Sequence, residues 1–448
     1  MRAERSACPR RARYRFRAHV LAVVLAASAL PSLEARAQHT VRFIELEDLG
    51  LTSPIACGAR AAAMAGAYAV VGDDLSSLLY NPAGLARVKR VDVELGLYSE
   101  RHEADLTFYG EPRGIDSRAG SIELAGVAFP FPVYRGSLVL AAAVSRPYSA
   151  NVDLHYRGPN EVEGTLDDFL LQQSGSLLAY NVGLGVDLSA AFSGGVSAFV
   201  LDGGVQSLKQ SDFRVVGAQP ALEVFVTEDG SLDLRGFGAR LGGQFFVHRL
   251  VLVGVAYTSP TWIEARGERL IEVVEHVENS IDRFTQIYEP VSATYLLPSR
   301  LDFGVALTLP WLSVAGEMAY TNWMEAAADQ RRFRAPNLET IFREVFDVRV
   351  GAEATLPWAP LRLRGGYAHR PYPTTFLQED RITNDIDGLV KARVDNERHD
   401  WAGGLGLLVG RVLTVDAAAT LTSGARSAEH VTDRRESWRY LLTAAYRF

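Results

Sequence analysis

The last twelve residues, Ser437 to Phe448, constrain this chain more than any other stretch. Trp438, Tyr440, Leu442, Ala444, Tyr446 and Phe448 share one parity, and Ser437, Arg439, Leu441, Thr443, Ala445 and Arg447 the other. Successive side chains of a strand point to opposite faces, so one face is wholly apolar and the other carries two arginines. The alternation recurs between Leu413 and Leu421, with Asp416 on the polar side, and between Phe346 and Leu356, with Asp347, Arg349 and Glu353 there. It recurs again between Leu301 and Leu309. Segments of about ten residues, apolar outward and polar inward, are the per-strand pattern of a membrane β-barrel. A soluble sandwich has the same period but keeps its charges outside.

The other end of the chain points the same way. A basic region from Arg2 to Arg17, an apolar core from Val20 to Leu30, and Ala35-Arg36-Ala37 before Gln38 follow the order of a secretory signal. Residues 1–37 are therefore expected to be removed on export. Arg10-Arg11 lacks the surroundings of a twin-arginine signal. Loss of that segment takes away eight Arg and two Glu, which moves the net charge from −7 to −13 and argues against a nucleic-acid partner. Cys8 leaves with it. Cys57 then stands alone, excludes an intrachain disulfide, and reads as a small buried residue. Beyond residue 37 no stretch approaches the roughly 18 apolar residues of a membrane helix. An exported chain of this kind is either a soluble secreted protein or an outer-membrane barrel.

The connections favour the barrel. Fourteen strand-like segments are expected between residues 90 and 448. Pro132-Val133-Tyr134, Ala190, His248, Pro310, Trp358-Ala359 and the Gly410/Arg411 junction are short links. They alternate with long ones at 110–119, 156–175, 207–231, 261–291, 324–343, 371–396 and 423–434. Short periplasmic turns and long outer loops are the habit of outer-membrane barrels. An even strand count places both termini on the periplasmic side. Pro and aromatic residues gather at strand ends ("AFPFPVY", "YTSPTW", "YTNW"), where an interfacial girdle sits. Phe448 closes an amphipathic last strand and resembles the signal read by the outer-membrane barrel-assembly machinery.

One segment breaks the pattern. "GARAAAMAGAYAVVGDDLSSLLYNPAGLA", Gly58 to Ala86, resembles the N-terminal hatch of the FadL/TodX family of outer-membrane transporters for long-chain fatty acids and hydrocarbons. The resemblance rests on a Gly/Ala-rich run, the acidic pair Asp73-Asp74, and Asn81-Pro82-Ala83-Gly84 before the first strand. It is echoed at "LRLRGGYAHRP" and "ERHDWAGGLGL". It implies an all-β, fourteen-stranded transmembrane barrel (90–448) plugged by an α-helical hatch (38–89). It further implies a hydrophobic small-molecule ligand, release into outer-membrane lipid through the wall, and a monomer. Within the hatch, Ala59 to Val71 has helix-forming composition, and Asp73 and Asp74 are placed to cap the following turn. Asn81-Pro82 favours a turn, and Gly84 tolerates positive φ. The hatch either gates the lumen or simply seals it. "VRFIELEDLGL" before it is either a tail that enters the pocket or a free strand.

For a carboxylate ligand, an arginine at the end of an apolar tunnel is the suitable partner. By parity Arg349, Arg362, Arg364, Arg439 and Arg447 face inward, but so do Asp347, Glu353, Glu317 and Asp416, so an ion-pair lattice is the competing reading. Pro147, inside the third strand, removes a ladder hydrogen bond. The resemblance implies an inward kink in this strand that opens the wall, and Arg146, Pro147, Tyr148 and Ser149 are expected to form it. Helical spacing of Leu166, Phe169 and Leu170, and of Leu270, Val273, Val274, Val277, Ile281 and Phe284, leads us to expect a helix pair in the outer loops. The nine histidines are scattered, with no H-E-x-x-H, G-x-S-x-G or phosphate loop, so neither an enzyme nor a cofactor is expected. The alternative to transport is a structural or secretion-accessory barrel that binds a protein partner.

Overall fold

A computed structural model describes residues 54–448, apart from 109–110, 135, 161–164, 216–221, 279, 331–339, 343, 377–396, 411 and 429–430. The secretory signal and the segment 41–51 lie outside the described residues. The chain forms a closed antiparallel barrel of fourteen strands. These are β1 (Asp92–Phe108), β2 (Glu111–Phe131), β3 (Leu138–Ser149, continued by Val152–Asn160), β4 (Thr165–Asp187), β5 (Phe192–Val215) and β6 (Leu222–His248). Then come β7 (Val251–Thr258 and Thr261–Val277), β8 (Arg283–Leu297 and Arg300–Thr308), β9 (Leu312–Asn322) and β10 (Glu344–Thr355). The last four are β11 (Leu361–His369), β12 (Glu397–Val409), β13 (Leu413–Ala428) and β14 (Val431–Arg447). Each strand pairs with its neighbours in sequence. β1 pairs with β14 from Asp92–Arg447 to Phe108–Val431, which closes the wall. Phe448 and Val91 add a reciprocal pair of backbone bonds at 3.1 Å below that seam.

Side-chain parity follows the expected alternation. Along β14, Tyr440, Leu442, Tyr446 and Phe448 are exposed on the outside while Arg439, Leu441, Thr443 and Ala445 are buried. Leu95, Phe129, Leu140, Val182, Leu241, Phe303, Val348 and Leu405 belong to the same outward band. An apolar surface of that extent needs lipid against it, which places the protein in the outer membrane as a β-barrel. Among the described residues no helix is long and apolar enough to cross a membrane.

The outer connections differ from expectation. Stretches 156–175, 207–231 and 261–291 are largely strand, and among the described residues the expected helix pair does not form. β4, β5 and β6 reach 23, 24 and 27 residues, although about 9–11 tilted residues suffice to span a bilayer. On β6 the outward apolar residues run from Phe237 to Val247, and above them Arg235, Asp233 and Ser231 face out. Cross-strand ladders supply the apolar residues of helical spacing with partners that an isolated helix lacks. A short helix, α1 (Trp323–Gln330), follows β9, and Thr340–Phe342 pairs with Thr374–Phe376.

Candidate functional site: the plugged lumen

Residues 54–91 fill the barrel. The helix expected over Ala59–Val71 is only five residues long, Ala59–Ala63, because Ala65 (φ 52°) and Gly66 (φ 77°) turn the chain left-handed straight after it. Ser77–Tyr80 forms a second short helix and Pro82–Arg87 a 3₁₀ helix, with Pro82 at its start where the missing N–H is harmless. The small residues of this plug let it touch the wall on several sides. Ala61, Met64, Tyr68 and Val70 pack with Leu252, Ala306 and Ala315. Leu75, Leu78 and Leu85 pack with Leu124, Val139 and Ala141, and Ala59, Ala62 and Ala63 with Tyr98, Ala418 and Leu441. Wall glycines permit the approach: a Cβ at Gly195 or Gly366 would fall on the backbone of Pro82 or Met64.

The inward polar residues hold the plug. Carboxylates of the wall accept its free amides: Glu317 from Ala69 at 2.9 Å, Glu123 from Gly58 at 3.2 Å and Glu94 from Leu75 at 3.3 Å. Asn81 donates to the Ala69, Gly243 and Val255 carbonyls at 2.7, 3.2 and 3.3 Å and accepts from the Ala83 amide, tying the plug to β6 and β7. Arg60, the one charge in the Ala-rich run, bonds to both oxygens of Glu353 at 2.8 and 3.0 Å, to Asp73, and to Asp74 at 3.2 Å. The acidic pair is thus an arginine clasp and not a helix cap. Burial would raise the Asp73 carboxyl, but Arg60 and Arg87 outweigh it and hold that group well below the usual carboxylate range. Gly84 also differs from expectation. Its φ is not positive, and the reason for glycine is contact, since a Cβ there would meet the Gly72 carbonyl at 2.5 Å and Ser77. Cys57 is buried, its amide donates to the Tyr80 hydroxyl at 3.0 Å, and burial pushes its thiol up to about 12.

A cavity of about 200 Å³ lies against the plug. Ile55, Leu79, Tyr80, Pro147, Tyr148, Phe199, Leu201 and Trp323 give it apolar walls, and Arg240, Arg300 and Arg349 bring charge. Of the five expected arginines only Arg349 lines it, and Arg349 is bound to Glu317 at 2.9 Å and Asp347 at 3.0 Å. Arg364 is held by Glu353 and Asp416, both at 2.6 Å. Arg439 lies over the Tyr98 ring at 4.3 Å with Glu100 at 3.5 Å, and Arg447 pairs with Asp92 at 3.1 Å. Arg362 is half-buried near the periplasmic end, opposite Thr355 and Gly406.

Arg240 is the residue that sequence reasoning missed. Its guanidinium stacks on Phe199 at 4.3 Å and donates to Asn181 at 3.2 Å, and among the described residues no carboxylate pairs with it. Its parity was readable, because it alternates with Gly238 and Gly242 on a face that meets the plug. What was not readable is that, among the described residues, no carboxylate reaches ion-pair distance of it.

Beside the cavity the backbone ladder is interrupted. The β2–β3 ladder ends at Leu124–Ser145. The β3–β4 ladder slips by one residue between Ser145 and Tyr148. Pro147 supplies no N–H there, and its carbonyl accepts from the Ile55 amide of the plug at 2.8 Å. Arg146 spans the gap, donating to the Ile122 carbonyl at 3.3 Å, the Ser121 hydroxyl at 3.0 Å and Ser176.

No family profile and no curated protein matches the chain. Solved structures do. A FadL homologue of Pseudomonas aeruginosa aligns over 88% of this chain and 98% of its own, with a TM-score of 0.61 at 14% identity. The Pseudomonas putida toluene transporter TodX covers 89% and 99% at 0.60 and 13%. The Ralstonia pickettii toluene transporter TbuX covers 87% and 98% at 0.54 and 14%. The chain has the FadL/TodX fold. The likeness spans nearly nine-tenths of the chain, and TodX and TbuX are toluene transporters.

Proposed function

We propose that this protein carries hydrophobic molecules, long-chain fatty acids or aromatic hydrocarbons, passively across the outer membrane. The substrate occupies the cavity above the plug and leaves sideways through the gap between β2 and β3 into lipid. The observation that carries this reading is the coincidence of gap and cavity: Pro147 and Tyr148 line the cavity at the place where the ladder stops. Arg146 and the Ile55 backbone act as its bolt. In this reading residues 1–37 are the signal, 38–89 the hatch and 90–448 a monomeric barrel whose Phe448 addresses the assembly machinery. Arg349, Arg364 and Arg439 brace the plug and wall, and Arg240 is the cation left for a ligand carboxylate.

Uptake of radiolabelled oleate and of labelled toluene by cells expressing the chain tests this. Between Ser145 and Tyr148, β3 advances three residues against two on β4, so deletion of Pro147 alone restores the register. That deletion is expected to stop uptake of both compounds while the barrel still folds. Undiminished uptake by the folded deletion variant overturns the lateral route. Arg240→Ala is expected to reduce oleate uptake at least tenfold and leave toluene unchanged. Equal loss of both removes Arg240 from the role of carboxylate partner.

A further inference from the structure

The outward face of β11 and β12 changes character as it climbs. Its directly opposed pairs are Leu363–Leu405, Gly365–Gly403, Tyr367–Trp401 and His369–His399. Leu363, Leu405 and Trp401 are exposed, and the Tyr367 and Trp401 rings lie 4.6 Å apart as part of an aromatic girdle. The histidines stand two residues further on, about 7 Å beyond the girdle, at the level of the outer lipid headgroups. They lie on the face of the wall opposite the cavity, which the adjacent Arg370 and Arg398 line.

Their arrangement has three features of a metal site. The imidazole centroids are 5.2 Å apart, since the two residues face each other across the ladder. Glu397, on the same face two residues before His399, has an oxygen 3.6 Å from His399 Nε2, too far for a hydrogen bond. One ligand atom from each of His369, Glu397 and His399 lies within 4.8 Å of the others. The Tyr367 hydroxyl is 2.8 Å from His399 Nδ1. When that oxygen accepts from Nδ1–H, the free lone pair sits on Nε2 and faces Glu397. Such a partner on the far nitrogen fixes the tautomer of a metal-ligating histidine.

We propose that His369, His399 and Glu397 bind one divalent ion of the zinc, copper and nickel group on the outer face of the barrel. Two imidazoles select those ions over calcium and magnesium, which demand more oxygen ligands. Metal–ligand distances near 2.1 Å in a tetrahedron bring the ligand atoms to about 3.4 Å from one another. The half-exposed histidines and the exposed Glu397 side chain reach that by rotation. Three protein ligands leave a fourth position open, directed away from the barrel toward solvent and headgroup oxygens. The ion cross-links the outer ends of β11 and β12, the two strands joined by the connection 370–396.

The test uses the tag-free full chain in detergent, with zinc chloride in a titration calorimeter and cobalt(II) followed by its visible absorption. One equivalent of zinc is expected to bind at pH 7.5, with an intense tetrahedral cobalt spectrum. His369→Ala and His399→Ala each lower the affinity at least tenfold, and Tyr367→Phe about tenfold. His155→Ala/His276→Ala, which removes two other histidine–carboxylate pairs, leaves binding unchanged. Heat-modified mobility on gels confirms that each variant folds. Absence of saturable zinc binding, retention of full affinity in His369→Ala/His399→Ala, or equal affinity for calcium overturns the proposal.

Discussion

Arg60→Ala tests whether the clasp holds the plug. The side chain is 12% exposed, and it faces Glu353, Asp74 and Asp73 at 11%, 5% and 36%. Removing one partner of a buried ion pair costs about 3–5 kcal/mol because the remaining charges stay desolvated. Asp73 is partly solvated and contributes on the smaller scale of surface pairs, and Glu353 keeps Arg364. The lower figure, about 3 kcal/mol, is therefore expected, and it favours an unseated plug by about two powers of ten at 1.4 kcal/mol per factor of ten. Cys57 reports on the plug. It is buried, with its thiol pushed up by that burial, so its alkylation by a maleimide is expected to quicken when this segment leaves the lumen. The alkylation rate of Cys57 in detergent at pH 7.5 is expected to rise about 100-fold in Arg60→Ala while the melting of the barrel is unchanged. Glu353→Gln is expected to cost less, because Arg60 keeps both aspartates. In the double variant the two effects are expected to be less than additive. Arg214→Ala, which removes an exposed pair with Glu223, serves as control. A rate in Arg60→Ala within twofold of the parent, or an equal rise in the control, refutes the clasp.

Other outcomes follow from the same geometry. Gly366→Val drives a side chain into the Met64 backbone, an overpacking that the plug relieves only by leaving, and single-channel recordings are expected to show at least tenfold more open conductance. Because the Asp73 carboxyl lies below its ordinary value, its stabilisation is complete above about pH 3.9 and is lost as pH falls from there toward the folded value. Amide exchange at Gly72, corrected for intrinsic rates, is therefore expected to be flat from pH 7 to 5 and to accelerate only below about pH 3.9. Deleting Phe448 removes both backbone bonds to Val91, and less heat-modifiable barrel is expected in the outer-membrane fraction.

The alternation around Arg439, Asp416 and Arg349 makes the barrel, its strand number and its inward face legible in the chain alone, because a period of two is a local property. The "GDDLSSLLYNPAGLA" stretch marks the plug for an equally local reason: its composition cannot alternate. Which inward charges are spent is not local. Arg60 finds Glu353 across 293 residues and Arg364 finds Asp416 across 52, and such partners are set by the register of a closed wall and the depth at which the plug sits. Arg240 and Arg349 both face inward and share the same chemistry, yet one meets an aromatic ring and an amide and the other two acids. Local pattern and composition thus dictate a plugged outer-membrane barrel with its charges turned inward. Which of those charges hold the plug, which one lacks a carboxylate partner among the described residues, and where the backbone ladder stops are settled in three dimensions, because each depends on neighbours that closure of the sheet brings together.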